Sequence, residues 1–163
     1  MKTLIDYCRV CDQHGEGQAG MTVTYYPWTT VANGTNAVDL GGGEYKVTID
    51  PTANNNKICR YYDIYVNAVL EQEKVFIGEW IFPFTLTVNV TPKVVAFNAM
   101  LDENGDALPT TIPNAKIVFL HSEDDLMFFL SATSNTGFTI EASVVGGVPL
   151  PVDVNMKVLV EEN

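Results

Sequence analysis

Cys11-Asp12-Gln13-His14-Gly15 and Asp102-Glu103-Asn104-Gly105-Asp106 carry the same D-x-x-G turn, and what flanks each turn decides the fold. A strand pattern runs into the first turn, and Met21-Thr22-Val23-Thr24-Tyr25-Tyr26 follows it. The order returns in the second half, where Val94 to Leu101 runs into the turn and Lys116-Ile117-Val118-Phe119-Leu120 follows. Each copy then reaches a strand opened by a glycine: Gly43-Glu44-Tyr45-Lys46-Val47-Thr48-Ile49 in the first, Gly137-Phe138-Thr139-Ile140-Glu141 in the second. Strand, tight turn, strand, glycine-led strand is the grammar of small antiparallel sheets packed face to face. The expected fold class is therefore all-β, with two small antiparallel β-sandwich modules in tandem.

Outward from these copies, helical periodicity is nearly absent, and period-two alternation of apolar and polar residues is common. Strands are expected at about Thr3–Val10, Met21–Tyr26, Ala37–Leu40, Glu44–Asp50, Tyr61–Leu70, Lys74–Phe82 and Thr85–Val90. In the second half they are expected at about Val94–Leu101, Lys116–Leu120, Leu126–Leu130, Gly137–Ser143 and Asn155–Val160. In Tyr61-Tyr62-Asp63-Ile64-Tyr65-Val66-Asn67, one face collects Tyr62, Ile64 and Val66 for the core, and the other presents Tyr61, Asp63, Tyr65 and Asn67. Asn33-Gly34, Gly41-Gly42-Gly43, Asn54-Asn55-Asn56 and Asn104-Gly105 supply residues that tolerate positive φ, and the prolines fall at strand ends or in loops. Alternation through Thr85-Leu86-Thr87-Val88-Asn89-Val90 stops at Thr91-Pro92, which sets the expected modules at residues 1–90 and 91–163. The alternative is one continuous sandwich in which Leu86, Val88 and Val90 pair with strands of both halves.

The 163 residues are 47% hydrophobic and only 18% charged, with 9 basic against 20 acidic side chains and a net charge of −11. A phosphate backbone is repelled by that balance, so nucleic acid is not an expected partner. No run is long enough to cross a bilayer, and Asp6 and Arg9 interrupt the apolar stretch near Met1, so neither a membrane span nor a secretion signal is expected. Cys8, Cys11 and Cys59 are too few and odd in number for a disulfide framework.

Cys8, Cys11, His14 and Cys59 are the one set with the composition of a tetrahedral zinc site. In a continuous strand, however, Cys8 and Cys11 point to opposite faces, and Cys59 lacks a neighbouring ligand; small buried thiols and a solvated turn histidine are the simpler reading. Asp102, Asn104 and Asp106 alternate as calcium ligands do, but the glycine and glutamate of an EF-hand loop are missing, which favours an Asx turn. His121-Ser122-Glu123-Asp124-Asp125 reads as a charged hairpin loop. There is no nucleophile elbow, phosphate loop, dinucleotide fingerprint or H-E-x-x-H. No cofactor, metal or catalytic residue is expected, and the chain is read as a non-enzyme; a small metal-dependent enzyme is the remote alternative.

Aromatic residues cluster around Pro27 (Tyr25, Tyr26, Trp28) and Pro83 (Trp80, Phe82, Phe84). Such rings cap a sandwich core, anchor a protein interface or stack on sugars. Leu126-Met127-Phe128-Phe129-Leu130 is apolar on both faces of a strand, so one face meets a second layer and the other is left for a subunit. Tyr26, Trp28, Trp80, Phe82, Phe128 and Phe129 are accordingly the interface candidates, with carbohydrate as the alternative ligand of Tyr26, Trp28 or Trp80.

The run of Asp12–Gly15, Met21–Tyr26 and Gly43–Ile49, with its second copy through Ser134-Asn135-Thr136-Gly137-Phe138-Thr139-Ile140, resembles the prealbumin-like or immunoglobulin-like modules of surface proteins and of tailed-bacteriophage virions. The resemblance covers most of the chain as a rhythm of turns and strands. The lysine–asparagine isopeptide trio of pilin-type modules is not assignable here, and a cell-wall sorting signal is not expected. The resemblance implies a structural component of a bacteriophage particle: capsid decoration, or a tail, baseplate or fibre part. It would be located in the virion and assembled in the host cytoplasm, contacting other virion proteins and itself. A carbohydrate- or host-surface-binding module is the alternative.

Overall fold

The fold is taken from a computed structural model that describes residues 1–28, 32–51, 58–86, 92–120, 126–144, 148–149 and 153–162. It is all-β and sandwich-like; the only helical element among the described residues is one 3₁₀ turn, Phe97–Ala99. Lys2–Glu79 and Trp80–Asn163 form two compact units.

The first unit holds β1 (Leu4–Arg9), β2 (Val23–Pro27), β3 (Thr35–Asn36), β4 (Val38–Gly41), β5 (Glu44–Ile49), β6 (Tyr61–Val66) and β7 (Val69–Phe76). One antiparallel sheet runs β1-β5-β4 and the other β3-β2-β6-β7. Alternation in the sequence becomes alternation of faces: Val23, Tyr25, Tyr45, Val47, Ile49, Tyr62 and Ile64 are buried, and their strand neighbours are not. Tyrosines in a core need partners for their hydroxyls. The Tyr25 hydroxyl donates to Asp6 Oδ2 at 3.0 Å. Tyr45 donates to the Gln18 carbonyl at 2.8 Å and accepts the Met21 N–H at 2.9 Å, tying β5 to the segment that leads into β2. Asp39 of β4 accepts the Gly20 N–H at 2.5 Å and the Gly41 N–H at 2.7 Å. Those two donors, Gly20 first, hold its carboxyl below the ordinary carboxylate range. The clamp is therefore complete at neutral pH and is released as pH falls through the lowered pKa.

The second unit holds β8 (Ile81–Leu86), β9 (Lys93–Ala96), the 3₁₀ turn, β10 (Ala115–Leu120), β11 (Leu126–Ser134), β12 (Gly137–Val144), β13 (Val148–Pro149) and β14 (Val154–Glu162). One sheet runs β10-β14-β8; in the other, β12 pairs with β11 on one edge and with β9 and β13 along the other. The strand pairing of β1-β5-β4 is thus repeated by β9-β12-β11, and that of β2-β6 by β10-β14.

The two D-x-x-G turns match bond for bond. Asp12 Oδ1 accepts the N–H groups of His14 (2.8 Å) and Glu16 (3.0 Å), as Asp102 Oδ1 accepts those of Asn104 and Asp106 (both 2.9 Å). The N–H groups of Gly15 and Gly105 donate to the carbonyls of Asp12 and Asp102, each at 3.0 Å, and the φ values of the two glycines are 82° and 84°. Bridges Cys11–Gly17 and Leu101–Ala107 close both turns. One difference precedes the turn. Val10 both donates to Gly43 and accepts from Gln18; in the second unit Phe97 donates to Thr136 and Met100 accepts from Leu108, with the 3₁₀ turn inserted between them.

Four expectations need correction; the strand expected over Lys74–Phe82 stops at Phe76, and Ile81 and Phe82 open β8 in the other unit. The break between units falls at Glu79/Trp80 rather than at 90/91, because Ile81–Leu86 pairs with Val154–Leu159 of β14. Alternation marks a strand without saying which strand it joins; Val88 and Val90 lie outside the described residues. The strand expected over Tyr61–Leu70 is two strands joined by a tight hairpin at Asn67-Ala68, with φ of 48° and 65°. Such turns normally carry glycine second, and Ala68 hides the signal. Val94–Leu101 is a strand only as far as Ala96.

Left-handed backbone costs an alanine about 1–2 kcal/mol, and a glycine gives back part of that in unfolded-state entropy, about 0.5–1 kcal/mol. Ala68→Gly should therefore raise the urea midpoint of the first unit, by about 0.5–1 kcal/mol of stability; a lower midpoint would mean the turn is not left-handed. Asp102 is only 8% exposed, whereas Asp12 is exposed. Asp102→Ala should cost about 1–3 kcal/mol, and Asp12→Ala less, because water can reach the N–H groups it frees. Equal losses in urea titrations would refute the assigned burial.

Candidate functional site

The thiol–imidazole set is not assembled. Cys59 is buried with its Sγ 3.0 Å from the Tyr61 carbonyl oxygen, Cys11 is exposed beside the first turn, and His14 is exposed within it. No three His, Cys, Asp or Glu side chains stand close enough to share a metal ion among the described residues. In the second turn, Asp102 Oδ1 is directed at two backbone N–H groups, as an Asx turn requires. His121–Asp125 lies outside the described residues. Cys8 sits on the half-buried side of β1 against the Tyr25 hydroxyl and Asp6. Burial pushes its thiol pKa up; the Tyr25 hydrogen bond opposes this and the Asp6 charge adds to it. Burial also pushes the Tyr25 phenol far up, with Cys8 and Asp6 reinforcing the shift. The Cys8 thiol and the Tyr25 phenol are therefore held in their neutral forms, and neither is a ready nucleophile.

The aromatic candidates separate by burial. Trp80 is 2% exposed and Phe82 0%; both belong to the core of the second unit, which corrects their expected place at an interface. Phe128 faces inward, its ring 6.3 Å from that of Phe119, and its neighbours Met127 and Phe129 face outward and are exposed. Tyr26 and Trp28 are half-buried on the outer face of the β2-β6-β7 sheet, where Tyr61, Tyr65 and Phe76 join them. Tyr26 meets Tyr65 edge-on at 5.2 Å. Alternation had put Tyr61 and Tyr65 on this face; the arrival of Phe76 and Lys74 depends on β7, whose start the sequence concealed.

One apolar surface was missed, and of a second only the Phe129 side was expected. On the β1-β5-β4 sheet Tyr7, Lys46 and Val38 lie in register on the outer face, and Tyr7 is 62% exposed. On the matching sheet of the second unit Val94 is 79% exposed opposite Thr139, and Phe129 lies opposite Glu141. The donor pairs Val10–Gly43 and Phe97–Thr136 align the two sheets, which puts Tyr7 and Val94 in the same slot. For Val94 the signal was there, because Val95 and Phe97 take the core parity and leave 94 for a polar residue; for Tyr7 it was not, because Ile5 and Tyr7 alternate with Asp6 and read as a core face. The second unit also has an open groove of about 630 Å³ lined by Phe84, Lys93, Met100 and Glu103 among others. Lys93 already donates to the Thr85 carbonyl at 3.0 Å and stands 5.0 Å from the Phe84 ring centre.

No protein-family model, curated protein or solved structure matches the chain.

Thiol reactivity should follow this geometry, since the thiolate is the attacking form and must be reached. Iodoacetamide labelling followed by peptide mass spectrometry should modify Cys11 first, Cys8 more slowly and Cys59 last; Cys8 outpacing Cys11 would contradict the raised thiol pKa.

Proposed function

We propose that the chain is a non-enzymatic structural component of a bacteriophage particle, a capsid-decoration, tail, baseplate or fibre protein. It works through protein–protein contacts with other virion proteins and with copies of itself. The observation that carries the contact role is the repetition of an exposed apolar side chain in one slot of two matching sheets, Tyr7 in the first unit and Val94 in the second. Apolar groups kept out of a core and clustered with others, here Val38 in one unit and Met127 and Phe129 in the other, are the usual material of interfaces. Two such faces on one chain let it contact more than one neighbour, the minimum for a link in an assembly. The phage assignment is supported by the resemblance of the repeated turn-and-strand run to virion modules. A carbohydrate- or host-surface-binding role is the second reading; it is favoured by the row of Tyr26, Trp28, Tyr61 and Phe76 on one sheet face.

Sedimentation velocity at rising concentration should show self-association. The double variant Tyr7→Glu/Val94→Glu should remain monomeric with an unchanged unfolding midpoint. A wild-type chain that stays strictly monomeric and is missing from purified particles overturns the proposal.

A further inference from the structure

The aromatic face of the first unit contains a corner already occupied by a cation. The rings of Trp28 and Tyr61 lie 6.4 Å apart with planes at 69°, and those of Tyr61 and Phe76 lie 5.6 Å apart at 62°. Angles this steep make walls rather than a stack. Between two of these walls stands the Lys74 ammonium, 4.0 Å from the centre of the Trp28 ring and 5.5 Å from that of Tyr61. The backbone aims it there. Lys74 has a left-handed φ of 56°, β7 slips register against β6 on both sides of Ile64, and the Lys74 N–H donates to Asp63 Oδ1 at 2.8 Å. Irregularities of this kind re-aim a side chain at the cost of local strain.

We propose that Trp28, Tyr61 and Phe76 form a receptor corner for the ammonium of a lysine side chain on a basic partner protein, and that Lys74 holds that place until the partner arrives. The resident groups identify the chemistry as cationic: the Arg60 guanidinium also stands 5.5 Å from the Tyr61 ring centre, but the group held at 4.0 Å, against Trp28, is a primary ammonium. The net charge of −11 favours a basic partner over a neutral or acidic one. Replacement is easy: an exposed cation–π contact shifts an equilibrium only roughly two- to five-fold, so an incoming lysine with a few further contacts displaces Lys74. The inference rests on the protein-contact reading and deepens it by giving one partner its charge.

The test uses the full chain carrying Tyr7→Glu/Val94→Glu, so that self-association and lysine capture are read separately. A tetralysine amide peptide is titrated into isotope-labelled protein, and the indole N–H of Trp28 is followed by NMR with that of buried Trp80 as internal reference. Lys74→Ala should show a saturable Trp28 shift at roughly two- to five-fold lower peptide concentration than the parent. Adding Trp28→Leu should abolish the matching shifts at the Tyr61 and Phe76 amides. Lys74→Met, which keeps the aliphatic stem, serves if the alanine variant does not fold. No saturable response in the opened variant, or an undiminished response without Trp28, overturns the proposal; a response to methyl glycosides in place of the peptide also overturns it and assigns the face to carbohydrate.

Discussion

Backbone meets backbone at a separation that no side chain would permit, and both units are organised around that meeting. In the first unit a Cβ on Gly17 would fall on the carbonyl of Gly42, and one on Gly43 would lie 2.5 Å from the Val10 carbonyl oxygen. In the second a Cβ on Gly137 would fall on the carbonyl of Val95. The closeness lets Val10 and Phe97 donate to the opposite hairpin and fixes the register of β1 on β5 and of β9 on β12. A slip by one residue would turn every side chain of those strands to the wrong face.

With register fixed, inside and outside follow. Tyr45, Val47 and Ile49 go to the core on β5, as Phe138, Ile140 and Ala142 do on β12. The same constraint turns Tyr7 and Val94 outward. Their exposure is thus set by the pairing that builds the core, and neither can be hidden by a small adjustment. That rigidity is what a contact surface needs, because a preorganised face loses little entropy on association.

The turns, the glycine-led strands and the all-β class were legible because each is encoded locally: an aspartate three residues before a glycine, or alternation over six. What was not legible is pairing. Phe82 stands directly before Pro83 as Tyr26 stands directly before Pro27, yet Phe82 is core and Tyr26 lies on an outer face. Strand parity relative to a distant partner, β14 in one case and β6 in the other, decides the matter. Lys74 is a sharper case. Nothing in Glu71-Gln72-Glu73-Lys74 distinguishes it from an ordinary edge-strand charge; its place over Trp28 follows from a register slip that local pattern does not encode.

The slot beside the last core strand is filled from opposite directions in the two halves. Next to β6 lies β7, which comes immediately after it; next to β14 lies β8, made before everything else in that unit. During synthesis the first unit can close as soon as its final hairpin leaves the ribosome. The second must keep Ile81–Leu86 unpaired until Val154–Glu162 emerges, with the aromatic side of a future core open to solvent throughout. Translation therefore leaves one half finished and the other waiting, and a chaperone at the ribosome would meet the molecule in that state.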